Sequence, residues 1–184
     1  DVYKRQQHRF HSGELVVGVD CVQPVTGLLD GLDERRFTPG GELAIVADDE
    51  GRRHITELAP VEPTRRGARR DRGRSAAQRR RRRVESRRAT TVLEGDEAAR
   101  QRVGHREWTI PVTGFWQAHS AAPTVYAATV AEFVSSTSTT RSATCWDLYG
   151  GAGIFAGALL DTIAPRAVHI VDSDAAALHA ADEV

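Results

Sequence analysis

The chain has 184 residues, with 25 basic and 25 acidic side chains, a formal net charge of zero and two cysteines. This length suits one domain or two small ones, and two cysteines are too few for a disulfide framework. No apolar run reaches the roughly eighteen residues of a membrane span. The first residues of the chain, up to about position 20, also lack the apolar core of a secretory signal. We therefore expect a soluble, cytoplasmic protein. Because the sequence has no methionine and starts abruptly with "DVYKRQQHRF", we interpret it as a fragment of a longer protein.

Residues 1–64 are expected to form part of a small α+β unit. The β-branched run Leu15–Val19 predicts a strand that ends near Pro24. The following stretch, "VTGLLDGLDERRF", predicts a short helix or a turn. In "GELAIVADDEGRRHITEL", apolar residues alternate before "DDEG", and a second strand pattern follows it, so this segment predicts a β-hairpin.

The composition changes between residues 65 and 91. The stretch "RRGARRDRGRSAAQRRRRRVESRR" is mostly arginine and has little apolar surface to bury, which predicts a solvated linker or insertion. One interpretation is an arm that binds phosphates, because each arginine that neutralises a phosphate releases counterions. The other interpretation, a charged linker on the surface, fits the sequence equally well.

Residues 92–184 are expected to begin an α/β domain. Alternating apolar residues in "REWTIPV" predict a strand, and "AAPTVYAATVAEFV" predicts a helix with Pro123 in its first turn. The last segment predicts a strand at Thr144–Tyr149, followed by a glycine turn and a helix at Ile154–Ile163. A second strand at Ala167–Val171 and a second helix from Asp174, with Ser173 as its N-cap, come next. This βαβα order is typical of a parallel sheet.

The glycine turn "DLYGGAG" is the strongest functional feature of the sequence. Glycines at 151 and 153 let the backbone approach a ligand closely, and the start of the following helix offers N–H groups to a polar or anionic group. Asp172 follows the next strand about twenty residues later, where an acid can accept hydrogen bonds from ribose hydroxyls. The pattern favours a nucleoside-containing cofactor, and the alternative is a turn whose glycines serve packing alone.

Two features favour S-adenosylmethionine over a dinucleotide, although "GAGIFA" also fits the dinucleotide fingerprint G-x-G-x-x-A. Asp147 lies four residues before Gly151, where it can hold the glycine loop or the amino-acid part of the cofactor. An ordered segment also precedes the turn, whereas a dinucleotide fold usually opens with it.

The segment "GFWQAH", followed by a helix and then by "WDLYGGAGIF", resembles the RNA uracil-5 methyltransferase family. Its members make 5-methyluridine in transfer RNA and in 23S ribosomal RNA. The likeness extends from about Leu93 to Asp172, and residues 1–64 resemble the family's central domain more weakly. It implies a Rossmann-like, S-adenosylmethionine-dependent domain preceded by a small α+β domain, with RNA as the partner. We also expect a monomer.

The resemblance also implies roles for individual residues. Gln117 matches a family glutamine that contacts the cofactor, Tyr149 matches the aromatic residue beside it, and Asp172 matches a family glutamate. Cys21 lies where several members carry their last iron–sulfur cysteine, which implies a [4Fe–4S] cluster in the full-length protein. One cysteine cannot hold a cluster alone, so its partners would lie upstream, and an inert cysteine is the alternative.

The family's chemistry uses a cysteine thiolate that adds to uracil C6 and a carboxylate that removes the C5 proton. We expect both groups to lie beyond this chain, because Cys145 falls within a predicted strand and is interpreted as a small buried apolar residue. The fragment alone is therefore expected to be inactive. Alternatives are a methyltransferase with another substrate and a non-catalytic module in which the arginine tract binds RNA.

Overall fold

The computed structural model describes residues 24–60, 88–137 and 142–183, together with the backbone of two short strands near the start of the chain. The predicted cluster ligand Cys21, most of the strand predicted over Leu15–Val19, and residues 65–87 of the arginine tract lie outside the described residues. Within the described ranges, no helix combines the length and the apolar character needed to cross a membrane.

The chain is a mixed α/β protein, as predicted. Its elements are, in order, β1 (Gln7–His8), β2 (Leu15–Val16), β3 (Glu42–Ala47), β4 (Arg53–Leu58), β5 (Thr90–Glu94), β6 (Ala98–Val103), β7 (Arg106–Pro111), α1 (Ala122–Ser135), β8 (Thr144–Leu148), α2 (Ile154–Ile163), β9 (Ala167–Val171) and α3 (Ala175–Asp182). Strands β1 and β2 pair antiparallel, β3, β4 and β5 form a sheet in that order, β6 and β7 form an antiparallel pair, and β8 and β9 pair in parallel.

The hairpin predicted from "GELAIVADDEGRRHITEL" is confirmed, with β3 and β4 on either side of the turn. The Asp48 carboxylate closes the turn by accepting hydrogen bonds from the backbone N–H groups of Glu50 and Arg52, at 3.0 and 2.7 Å. Strand β4 does not alternate between buried and exposed residues, because His54, Ile55 and Thr56 are buried in succession.

The chain divides into two compact units, one of residues 1–43 and 57–91 and the other of residues 44–56 and 92–184. In the first unit, the last arginine of the basic tract is part of the fold and not of a solvated segment, which corrects the expectation for Arg88. Its side chain is 4% exposed, donates hydrogen bonds to the carbonyl oxygens of Leu58 and Ala59 and pairs with Glu42. The Ala59 N–H also donates to the carbonyl of Ala89 at 2.8 Å.

The second unit is built around the β6–β7 pair and the three helices. Its core contains Val103, Trp108, Ile110, Ala152 and Ala180, with Trp116 and Ile154 packed against it. The alternation predicted for β7 is confirmed, because Trp108, Ile110 and Val112 are all buried. Helix α1 begins at Ala122 with Pro123 in its first turn, also as predicted.

The predicted βαβα segment is present as β8, α2, β9 and α3, with two differences at element ends. Strand β8 ends at Leu148, one residue early, because Tyr149 has a positive φ of 62° that leaves the extended region. Ser173 is not the N-cap of α3. Asp174 takes that position, with extended backbone angles, and its side chain accepts from the N–H groups of Ala176 and Ala177.

The two faces of the β8–β9 sheet differ in cover. Asp147 is buried on the side of the helices, whereas Trp146 and Leu148 on the other face are each 62% exposed. Trp146 stacks on His169 of the neighbouring strand, with ring centroids 4.6 Å apart, and Val171 is also exposed. Parallel strands are usually buried on both faces, so this apolar face is unusual for a parallel pair.

Candidate functional site

The candidate site is the turn between β8 and α2, where the chain passes from Asp147 to Gly153. Tyr149 begins the turn in the left-handed region, with its N–H donating to the Val171 carbonyl at 2.7 Å. Its side chain is 92% exposed. A bulky residue in this region carries an energetic cost, and such residues cluster at functional sites. Tyr149 thus presents an aromatic ring to solvent from a fixed and strained backbone.

The three glycines of the turn have different surroundings. A Cβ at Gly150 would lie 2.6 Å from the Asp147 Cγ, and one at Gly153 would lie 2.8 Å from the Ile170 Cδ1. Close packing therefore favours glycine at both positions, and at Gly153 the positive φ of 79° favours it as well. Gly151 has a φ of +56°, and nothing within 4 Å would meet its Cβ. Gly151 is therefore the position where a ligand has room to approach the backbone. The packing requirement at Gly150 was not expected from the sequence.

The buried side chain of Asp147 is hydrogen-bonded to the first turn of α2. It is 7% exposed, and its Oδ2 accepts a hydrogen bond from the Ala156 N–H at 3.1 Å, one of the N–H groups that the first helical turn leaves without an intrahelical acceptor. Burial raises the pKa of the Asp147 carboxyl, the Ala156 N–H acts against this, and the nearby Asp172 carboxylate raises the pKa further. The site thus contains a buried acid whose ionised form is disfavoured.

Asp172 lies at the end of β9 and is hydrogen-bonded to the turn. Its Oδ2 accepts from the Gly151 N–H at 3.0 Å, and its Oδ1 accepts from the Asp174 N–H at 2.8 Å. The sequence placed Asp147, Tyr149, Gly151, Gly153 and Asp172 in one site, and the structure brings these five residues together at one edge of the β8–β9 pair.

The segment that precedes α1 approaches the same core. Gln117 is half-buried and follows Trp116, whose ring lies 5.8 Å from that of Trp108. The Trp108 Nε1 donates to the carbonyl oxygen of Ala152, within the glycine turn, at 2.7 Å. Trp108 therefore touches both the turn and the residue next to Gln117. This contact could not be predicted, because a tryptophan in an alternating strand pattern indicates burial but not its partner.

These surroundings fit a nucleoside-containing cofactor. The open space at Gly151 and the acid at the end of β9 are features of nucleotide-binding turns in α/β sheets. Within the ranges that the structure describes, no group of three or more histidine, cysteine or acidic side chains is placed to hold an ion. Cys145 is free and half-buried in β8, and the cluster expected at Cys21 stays a prediction.

Comparison with known proteins gives relatives along almost the whole chain, although no family model matches it. The chain is 36% identical over 182 residues to a protein of Corynebacterium glutamicum named an uncharacterized RNA methyltransferase. It is 38% identical over 178 residues to one of the same description in Corynebacterium diphtheriae, and 34% identical over 185 residues to one in Corynebacterium efficiens. The alignments cover 92–95% of this chain but only 38–39% of the relatives, so the chain spans less than two-fifths of their length.

Among solved structures, the chain is similar to the tRNA (uracil-54, C5)-methyltransferase of Pyrococcus abyssi, which was crystallised in complex with S-adenosyl-L-homocysteine. The identity is 22%, the TM-score is 0.39, and the match covers 52% of this chain and 21% of that protein. A TM-score of this size does not establish a shared fold.

Proposed function

This chain belongs to the same family as the three corynebacterial RNA methyltransferases, and we propose that it is part of an enzyme that methylates C5 of a uracil in RNA. The names of the relatives support methyl transfer to RNA. The pairing of "GFWQAH" with "DLYGGAG" supports uracil C5 as the acceptor. Since the chain spans less than two-fifths of its relatives, the substrate and the activity of the whole protein are part of this proposal.

The observation that carries the proposal is the contact of Trp108 with both motifs. Its ring packs on Trp116 of the first motif, and its Nε1 donates to Ala152 of the second. Two segments about thirty residues apart along the sequence thus share one buried side chain. This arrangement supports a joint role of Gln117 and the glycine turn in a single cofactor site within a Rossmann-like domain.

S-adenosylmethionine, when bound, supplies an electrophilic methyl group, and the residues of this chain bind and orient it. The Gly151 backbone gives the close approach, the Tyr149 ring forms a wall, and the Asp172 carboxylate accepts from the ribose hydroxyls. Asp147 holds the start of α2 through the Ala156 N–H. Gln117 is proposed to reach the same cofactor from the segment before α1. The nucleophilic cysteine and the base that act on uracil are assigned to the part of the protein outside this chain.

The charge distribution supports a nucleic-acid partner. Thirteen of the 25 basic residues lie between positions 65 and 88, and the rest of the chain has 12 basic against 23 acidic residues. A sequence-independent contact with RNA phosphates through this tract would raise affinity without specifying a base. We further propose a monomeric protein that acts in the cytoplasm, where its RNA substrate is found.

The proposal is tested with the full-length protein and RNA that carries tritium at C5 of uracil. Methylation at C5 replaces the C5 hydrogen, so tritium should be released into water only when S-adenosylmethionine is added. Methyl groups labelled with carbon-14 should enter the RNA in equal amount. Methyl transfer without tritium release would show a different methylated atom and would contradict the uracil-5 assignment.

A second candidate function is a non-catalytic RNA-binding module, which the basic tract favours. The same experiment separates the two. RNA binding by the full-length protein with neither tritium release nor methyl transfer, in RNA that contains many uridine contexts, would favour the binding module over the enzyme.

A further inference from the structure

We propose that Trp108 is a positioning residue that fixes the glycine turn and the segment of Gln117 in one arrangement. This inference rests on the proposed function, because it concerns how the cofactor site of that enzyme is held. Trp108 lies on β7, outside both sequence motifs, and is not itself part of the site. It acts through the residues that it touches.

The hydrogen bond from Trp108 fixes the turn from the inside. The indole Nε1, a donor with no acceptor capacity, lies 2.7 Å from the Ala152 carbonyl oxygen. Trp108 is 1% exposed and Ala152 is 7% exposed, so water cannot easily replace this bond. A buried carbonyl that loses its donor is strongly disfavoured, and the turn would then have to move to find another.

Strand β7 also packs against α2 beyond the turn. A Cβ added at Gly157 would lie 3.1 Å from the Arg106 Cδ and 3.5 Å from the Trp108 Cζ2, so this glycine lets the helix approach the strand. The Arg106 guanidinium binds both carboxylate oxygens of Asp161 at 2.7–3.1 Å and holds the pKa of Asp161 below its ordinary value. Strand β7 therefore holds α2 at two places, which leaves the turn little freedom.

The indole ring of Trp108 also contacts the first motif. The rings of Trp108 and Trp116 are tilted by 49° with centroids 5.8 Å apart, a geometry that is favourable for aromatic pairs. Gln117 directly follows Trp116 in the chain. A movement of Trp108 that shifts Trp116 therefore also shifts the backbone from which the Gln117 side chain extends. One side chain thus couples the two halves of the proposed site.

The test uses the full-length protein with Trp108→Phe, which keeps an aromatic ring and removes the donor. The matched control is Trp146→Phe, at a tryptophan on β8 that is 62% exposed and lies outside the proposed site. Hydrogen exchange without ligand is measured for peptides that contain residues 149–157 and, as an internal control, residues 122–135 of α1. We expect about ten-fold faster exchange in the turn peptide of Trp108→Phe, and a smaller change in α1.

The affinity for S-adenosylhomocysteine is measured on the same proteins by calorimetric titration. We expect Trp108→Phe to bind about ten-fold more weakly and Trp146→Phe to bind like the wild type. A merely structural role would lower the unfolding temperature of Trp108→Phe without changing this affinity at a temperature where the protein is folded.

The outcomes separate this inference from the proposed function. Unchanged exchange in the turn peptide, or unchanged affinity in a protein whose wild type binds S-adenosylhomocysteine, would overturn the positioning role while leaving the function intact. Failure of the wild type to bind S-adenosylhomocysteine would overturn the proposed function. In that case the exchange data still decide whether Trp108 holds the turn.

Discussion

Replacement of Asp172 by alanine should weaken cofactor binding more than any neighbouring change of similar size. In the structure this carboxylate accepts hydrogen bonds from the N–H groups of Gly151 and Asp174. We propose that it also accepts from the ribose hydroxyls. Asp172→Ala removes all of these acceptors together, so both the ligand contact and the position of Gly151 are affected.

The magnitude follows from the type of bond that is lost. A hydrogen bond to a charged group contributes about 1.5–3 kcal/mol, and the loss of one such bond to the ribose corresponds to a roughly ten- to hundred-fold lower affinity. The two backbone bonds are partly buried, and water can replace them in part. We therefore expect their loss to lower the free energy of unfolding by about 2 kcal/mol in total.

The assay is calorimetric titration of the full-length protein with S-adenosylhomocysteine, together with thermal unfolding of the same variants. Asp174→Ala is the matched control, because this acid lies two residues away in the same connection and caps α3 through the N–H groups of Ala176 and Ala177. The loss of an N-cap should lower stability by about 1 kcal/mol and leave the affinity for S-adenosylhomocysteine within two-fold of the wild type.

Two results would refute this reasoning. Wild-type affinity in Asp172→Ala would show that the ribose is not held by this acid. An equal loss of affinity in Asp174→Ala would show that the effect comes from a general loosening of α3. Both variants should bind RNA like the wild type, and a loss of RNA binding in either would indicate a wider structural change.

Four further predictions concern stability and RNA binding. Thr56→Val should raise the free energy of unfolding by about 1 kcal/mol, because the Thr56 hydroxyl is buried without a hydrogen-bond partner within the described part of the chain; a lower urea midpoint would contradict this. Asp147→Asn should raise the thermal unfolding midpoint at neutral pH and not at pH 3. The pKa of Asp147 is raised in the folded state, so the wild type loses stability as the pH rises through that pKa and the carboxyl ionises. Equal gains at both pH values would count against this. Replacing residues 61–87 of the full-length protein by Asn-Gly should weaken RNA binding and flatten its salt dependence if the tract is an RNA arm, whereas unchanged affinity and slope would identify a linker. Residues 109–184 alone should give no sharp calorimetric transition, because this piece lacks Trp108 and exposes the apolar face of β8 and β9; a sharp peak would contradict this.

The arrangement of β8, α2, β9 and α3 could be predicted because several local patterns agree in this segment. Each short apolar run that predicts a strand is followed by a segment with the spacing of a helix, and glycines mark the turn between β8 and α2. The carboxyl ends of parallel strands lie at the same edge of a sheet, so a turn after β8 and an acid after β9 come together whatever the rest of the fold does. That is why Gly151 and Asp172 could be assigned to one site from their spacing alone.

Contacts between distant segments could not be predicted in the same way. The partner of the Trp108 donor lies 44 residues further along the chain, and no local pattern marks it. The same holds for His54, which is buried in β4. Its Nδ1 accepts from the Asp96 N–H at 2.9 Å, and its Nε2 lies 3.2 Å from the Asp48 carboxylate. These polar partners allow a histidine to be buried in β4 beside Ile55.

The N-cap of α3 shows how a tertiary contact decides between two plausible residues. Ser173 and Asp174 are both residue types that favour this position. The Asp172 carboxylate binds the Asp174 N–H, and Asp174 has the extended backbone angles of an N-cap, φ −99° and ψ 105°. Which of the two residues caps α3 therefore depends on Asp172, a contact that capping preferences alone do not include.

The turn between β8 and α2 combines features that a mere connection would not need. Tyr149 is left-handed, and among non-glycine residues that the structure describes only Ala164 shares a positive φ. Asp147 is a buried acid whose pKa is raised by burial and, further, by a second acid, Asp172. Each feature lowers stability, and asparagine or glycine in place of Tyr149 would relieve the strain of the first. Local conflicts of this kind are expected where binding, and not packing, determines the residue. The concentration of such costs in one turn therefore favours the ligand-binding interpretation over a turn whose glycines only allow close packing.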